Sequence, residues 1–291
     1  MDPIAVALGI GATFCWALTL FTMKLAVDRM NWVTLGVLRL WIGIPFVAAY
    51  GALTHGFAFG SPGLLWIAFS GGVANAFVGT ALYYYALSTG SMHETNVLAN
   101  TSPFWAVVGA IVVLGEPARW FTLVAGVLVI AGTVFLVRTR PQAQHGRSSL
   151  QSLLAALGAG VLWGVTTSVP SKYCLDGGMT PIAYQLLFVA GAGVCWSIVA
   201  VPGFIRKRLR MTKRSLWIAF LSSFFGLFVG WVLWLTALQR ADGSALAPLN
   251  GLTLLFAALL GAVFLRQPLT RRILVGGALT VAGVTLVTAL S

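Results

Sequence analysis

The chain has 291 residues, of which 59% are hydrophobic and only 8% charged, against about 25% charged in an average soluble domain. A mean hydropathy of +0.93 leaves too little polar surface to cover one water-soluble core, which excludes a soluble cofactor enzyme. A secreted disulfide scaffold is excluded as well, because Cys15, Cys174 and Cys195 are odd in number and sit in or beside apolar runs without metal-ligand spacing. The composition is that of an integral membrane protein, and the net charge of +12 is read first as a topology signal.

A membrane helix needs about 20 mostly apolar residues. Ten such spans are expected, at 4–26, 32–53, 63–87, 92–114, 118–138, 150–172, 180–202, 214–239, 244–265 and 269–290. Turn residues mark the short breaks: Asp28–Asn31, Gly60–Gly63, Ser88–Ser91, Gly115–Pro117, Asp176–Gly178 and Arg240–Gly243. Two links are longer, a polar one at Arg138–Ser149 and a basic one at Gly203–Lys213. The first span has no basic stretch before it, Asp2 being its only preceding charge, and it outlasts a signal-peptide core, so it reads as an uncleaved helix.

Fourteen of the bases fall in the links that follow odd-numbered spans, or at the adjoining helix ends. Three fall on the opposite side (Arg119, Lys172 and Arg240), and Arg39 lies inside the second span. The positive-inside rule then makes the basic side cytoplasmic and puts both termini outside. The basic run Arg206–Arg214 is taken as such a loop, not as a nucleic-acid patch.

The second half echoes the first. Across residues 77–132 an ungapped offset of 151 pairs Phe77 with Phe228, Gly79 with Gly230, Ala86-Leu87 with Ala237-Leu238, Pro117 with Pro268 and Gly126 with Gly277. Upstream, with small gaps, Trp16 pairs with Trp163 and Lys24 with Lys172. The expected organisation is a first five-helix repeat over 1–138, a polar linker over 139–149 and a second repeat over 150–291. Five is odd, so the second half must enter the bilayer from the other side. Inverted halves around a central site are a recurring plan of secondary transporters. The fold class expected is therefore all-α and integral to the membrane, with ten helices as two inverted five-helix repeats around a central cavity.

The ten-span pattern, Ala86-Leu87 closing the third span, Leu114-Gly115-Glu116-Pro117 after the fourth and its degenerate copy Leu265-Arg266-Gln267-Pro268 after the ninth resemble the EamA branch of the drug/metabolite transporter superfamily. The resemblance covers essentially the whole chain, and within the family it is strongest to aromatic amino acid exporters. It implies export of small metabolites, amino acids foremost, across a bacterial inner membrane by alternating access. Efflux of organic cations or drugs is the alternative reading. In the second copy Gln267 replaces the acid, so Glu116 has no symmetric counterpart.

Candidate binding residues follow from polarity and depth. His93, Asn96, Asn100 and Pro103 share one face of the fourth span, and Asn100 lies roughly 12 Å into it at about 1.5 Å per residue. An amide at that depth faces protein or a wet cavity, and it serves either a zwitterionic ligand or an interhelical hydrogen bond. Pro103 frees a carbonyl in mid-span, and Pro248 does the same beside Asn250 and Thr253. Trp16 and Trp163 fall near mid-span, where an indole N–H needs a partner; Thr167 follows Trp163 by one turn. Asn75 stands in the row Gly71, Asn75, Gly79, and Tyr84 adds aromatic surface. Rows of small residues (Ala7, Gly11, Cys15, Thr19 and Ala156, Gly160, Gly164, Ser168) mark close helix contacts. The substrate set expected is Trp163, Asn100, Asn96, His93, Trp16, Thr167, Asn75, Asn250 and Tyr84.

The charged residues read mainly as structure. Ser91 and Glu94 form a capping-box pattern ahead of a proton-coupling role, Glu116 is expected to cap the fifth helix, and Arg39 to snorkel to the basic side. Tyr83 and Trp234 fall near helix ends, where an interfacial belt explains them as well as a cavity does. No catalytic constellation, cofactor motif or metal cluster is present in the sequence. The expected partners are a small-molecule substrate and the lipid bilayer, with no nucleic acid; a monomer is compatible with the plan.

Overall fold

A computed structural model describes residues 1–24, 32–54, 56–90, 92–137, 149–205, 212–266 and 269–291, and all regular structure among them is helical. Helix α1 spans Pro3–Lys24 and α2 spans Trp32–Leu53. Helix α3 (Pro62–Thr89) is interrupted by a π-helical stretch, Val73–Gly79. Helix α4 comes in two pieces, Met92–Ala99 and Ser102–Leu114, followed by α5 (Trp120–Val137), α6 (Leu150–Asp176) and α7 (Pro181–Ile205). Helix α8 runs through Lys213–Ser222, a second π-helical stretch Ser223–Gly230 and Trp231–Leu238. Helix α9 combines Gly243–Leu246, a 3₁₀ stretch Ala247–Gly251 and Leu252–Leu265, and α10 is Arg271–Leu290. Among the described residues nine helices are long and apolar enough to cross a membrane, and α5 is a shorter apolar helix. The expected linker falls almost entirely outside the described residues.

The irregular places have local causes. Asn100 and Thr101 break α4 just ahead of Pro103, which has no N–H to continue the ladder to Ala99 O. Pro248 sits in the 3₁₀ stretch of α9 for the same reason. Gly115, at φ +71°, caps α4 in the left-handed conformation that glycine adopts freely. Its repeat equivalent Arg266 holds the same cap of α9 at φ +51°, where a side chain is disfavoured.

The largest helix contacts correspond when α1–α5 are exchanged with α6–α10. Helix α1 packs on α8 and α9, and α6 on α3 and α4; α3 crosses α7 as α8 crosses α2; α2 pairs with α7, and α5 with α10. Small residues let these helices touch through backbone, as packing in lipid favours. A Cβ on Gly132 would lie 2.6 Å from Gly276 O, and one on Gly276 2.7 Å from Gly132 O, which locks α5 to α10. The predicted small rows lie at two of these seams. Thr19 Oγ1 reaches Ser222 O of α8 at 3.4 Å, and a Cβ on Gly164 of α6 would stand 2.3 Å from Ser102 O of α4.

Candidate functional site

Between the halves lies a cavity of about 330 Å³. Eight of the nine predicted residues line it: Trp16, Asn75, Tyr84, Asn96, Asn100, Trp163, Thr167 and Asn250. The side chain of the ninth, His93, lies outside the described residues. The lining comes from α1 through α9, and the residues that periodicity put on separate helices meet because both halves turn the same face inward.

The walls are built twice by one device. A π turn shifts backbone hydrogen bonds out of the α register, so carbonyls within it become available to other donors. Trp163 Nε1 of α6 donates to Asn75 O in the π stretch of α3 at 3.1 Å, and Trp16 Nε1 of α1 donates to Gly226 O in that of α8 at 3.2 Å. Asn75 and Gly226 are 151 residues apart, the offset of the repeat. Gly79 and Gly230 make room for the two indoles, since a Cβ at either would come within 2.9 Å of the facing ring. Each indole also meets an aromatic at repeat-equivalent places: Trp163 with Tyr83 at 5.1 Å between centroids, Trp16 with Trp234 at 5.3 Å. These four aromatics therefore belong to the interior. Tyr83 Oη donates to Asn96 Oδ1 at 2.7 Å, and Trp234 is fully buried with Nε1 3.4 Å from Thr167 O, so neither forms an interfacial belt.

The amides have defined polarity. Thr166 Oγ1 donates to Leu162 O and Thr167 Oγ1 to Trp163 O at 2.5 Å, so both hydroxyls can only accept from Asn75. They do, at 2.8 and 3.3 Å, which fixes Asn75 Nδ2 toward α6 and leaves Oδ1 as the group it can offer a ligand. Asn100 spends Nδ2 on Asn96 O at 2.8 Å and likewise retains its oxygen. Asn96 is the reverse, because its oxygen accepts from Tyr83 and its Nδ2 remains. The hydroxyls of Thr133 and Thr253 line the same space and are buried without a hydrogen-bond partner. The cavity thus offers acceptors, donors and aromatic faces together, which suits a small amphipathic solute carrying both signs of polarity.

Two expectations about charge are corrected. Arg39 does not snorkel away; it lines the cavity, and Ser223 Oγ donates to its backbone carbonyl, holding that turn of α2 against α8. Glu116 does not cap α5. Its two carboxylate oxygens accept from Gly243 N and Ser244 N, each at 2.8 Å, capping the start of α9 in the other half. Glu94 leaves Oε2 buried without a hydrogen-bond partner, and its presumed cap partner Ser91 lies outside the described residues, as does Gln267. Trp231 also lines the cavity, as does Trp196, which the sequence does not single out; Trp196 Nε1 donates to Ala76 O at 2.8 Å, next to the carbonyl that Trp163 uses. Among apolar helices nothing local distinguishes such an indole from one facing lipid.

One end of the bundle is tied shut. Besides the Glu116 cap, Lys172 Nζ bonds Leu238 O at 3.0 Å and Asp176 at 3.1 Å, Arg240 meets Asp2 at 3.4 Å, and Thr180 N donates to Ala58 O at 3.0 Å. These bonds join the start of α1 to the links α2–α3, α4–α5, α6–α7 and α8–α9, the side poor in bases. The residues lining the cavity lie from mid-span toward the other end.

A mostly apolar cavity set with a few polar groups, between two repeated helical halves tied together at one end, fits the class of membrane transporters for small molecules. The chain belongs to the EamA-like transporter family, which matches it twice, over residues 3–138 and 150–289. It is similar to a protein of Streptantibioticus cattleyicolor named "Probable terminal-alkyne amino-acid exporter", with 26% identity over 217 residues, 72% of this chain and 69% of that protein. It also resembles a solved crystal structure of a protein 20% identical, with a TM-score of 0.83 over 98% of this chain and 96% of the other, a likeness that carries the fold alone.

Proposed function

We propose that this transporter exports neutral amino acids, aromatic ones among them, by alternating access between two inverted five-helix halves, in the inner membrane of a bacterium. The observation that carries the reading is the cavity itself, where carbonyl oxygens of Asn75 and Asn100 suit an ammonium group and the indoles of Trp163 and Trp16 suit an apolar side chain. Its volume of about 330 Å³ lies at the small end of ligand pockets, which run from about 300 Å³ upward. The similarity to a protein named as an amino-acid exporter points the same way.

The test is counterflow. Liposomes holding the purified protein, loaded with unlabelled phenylalanine, methionine or threonine, are given the labelled counterpart outside. Transient accumulation above empty liposomes is expected, reduced at least roughly tenfold in Trp163→Ala, which removes an aromatic wall and a bond between the halves. Folded protein that accumulates none of them, but exchanges an organic cation, would overturn the reading in favour of drug efflux.

With the basic side cytoplasmic, the cavity faces the cytoplasm and the tied end faces out. A cysteine at exposed Lys213, in a background with Cys195 replaced by serine, is expected to resist an impermeant maleimide in intact cells and to react after permeabilisation. Labelling from outside would reverse the topology.

A further inference from the structure

We propose that Arg39 is the carboxylate anchor of the cavity, and that it makes the protein select amphipathic carboxylates over amines of the same shape. This deepens the amino-acid reading above and rests on it for the choice of solute. Arg39 is the only charged side chain among the described residues lining the cavity. It lies seven residues into α2, roughly 10 Å along the helix at about 1.5 Å per residue. An ionised side chain at such depth is costly, and it persists where it faces a bundle interior and a ligand path. The turn of α2 that carries it is held there, because the Arg39 carbonyl takes the Ser223 hydroxyl of α8.

The surroundings sort by sign. The guanidinium has the Tyr84 phenol as an electrostatic neighbour, and no Asp or Glu is among the described lining residues. With Asn96 Nδ2 it supplies donors, while Asn75 and Asn100 present oxygens. A zwitterion can meet both sets at once, and a planar guanidinium matches a carboxylate bidentately. An amine lacking the carboxylate would bring a second positive charge into a low-dielectric space beside Arg39.

The experiment compares three ligands of one shape: phenylalanine, phenylalaninamide without a carboxylate, and 3-phenylpropionate without an amine. Each is measured as a competitor of labelled phenylalanine counterflow, and by direct calorimetric binding to purified protein. For the wild type, phenylalanine should bind about 10- to 100-fold more tightly than the amide, the range for a hydrogen-bonded charge pair. Arg39→Gln should bring that ratio close to one, chiefly by losing phenylalanine, whereas a change acting on folding alone would weaken all three together. Arg39→Lys should keep part of the preference, since it retains charge without the fork.

A wild type that binds the amide as well as phenylalanine overturns the proposal, and so does an unchanged ratio in folded Arg39→Gln. If that variant does not fold, the wild-type ratio and Arg39→Lys decide. Phenylalanine counterflow with an unaltered ratio in the variants would leave the amino-acid reading standing and remove the anchor. Absence of counterflow with any amino acid, together with Arg39-dependent binding of 3-phenylpropionate, would do the reverse.

Discussion

Alanine in place of Glu116 is expected to open the tied end of the bundle. The carboxylate takes two backbone N–H groups at the start of α9, at 2.8 Å each, and carries negative charge to the positive end of that helix. Hydrogen bonds to a charged group contribute about 1.5–3 kcal/mol each, and the truncation strands both donors beneath the α4–α5 link. Glu116→Ala should lower the melting temperature by several degrees or more. Glu116→Gln keeps one acceptor without the charge and should fall between. Ser168 is fully buried under this cap, its Cβ 3.5 Å from where a Cβ on Gly243 would stand. A cysteine at 168 should therefore be silent to maleimide with Glu116 present and reactive in Glu116→Ala. Equal melting temperatures and equal labelling would show that the cap does not hold this end closed.

Gly72→Ala should be the most damaging glycine-to-alanine change among the described residues. The added carbon would lie 1.9 Å from Phe188 O and 2.6 Å from Phe188 C, where α3 crosses α7. Both are backbone atoms, so no rotamer change relieves the contact and the two helices must separate. Forcing extra volume into a packed contact costs about 1–3 kcal/mol, and a backbone clash belongs at or beyond the upper end. Gly126→Ala in α5 is the control, because nothing stands within 4 Å of the new carbon and alanine favours the helix by up to about 1 kcal/mol. The first variant should melt well below the wild type or fail to elute as a single species on size exclusion; the second should match the wild type or exceed it. Similar behaviour of the two would mean that α3 and α7 are not in backbone contact.

The repeat offset of 151 is the part of the sequence that reached furthest into the structure. Over residues 77–132 it relates Gly79 to Gly230, which make room for the two indoles, and Gly115 to Arg266, the two left-handed helix caps; the gapped match upstream relates Trp16 to Trp163, the two donors to the π stretches. Amide depth and proline position likewise pointed to Asn96, Asn100 and Asn250, and mid-span depth to Trp16 and Trp163, all of which line the cavity. Charge was harder to read. Arg39 resembles a snorkelling residue when only its distance from a helix end is known, and Glu116 beside Pro117 resembles a cap for the helix that follows. In both cases the deciding neighbour lies in the other half: Ser223 for Arg39, Gly243 and Ser244 for Glu116.

The sequence by itself determined that this is a membrane protein of repeated halves, because hydropathy and periodicity depend on chain-local facts that the bilayer reads directly. It also determined which polar groups sit too deep to be left alone. Only the tertiary structure decided what those groups face. That Asn75 spends its amide N–H groups and keeps its oxygen, that Trp196 joins the cavity wall, and that the one described cation there is Arg39 all depend on partners over 80 residues distant in the chain. Helices in lipid are apolar on every side, so the composition of a helix does not reveal its inward face; contact with the opposite half does.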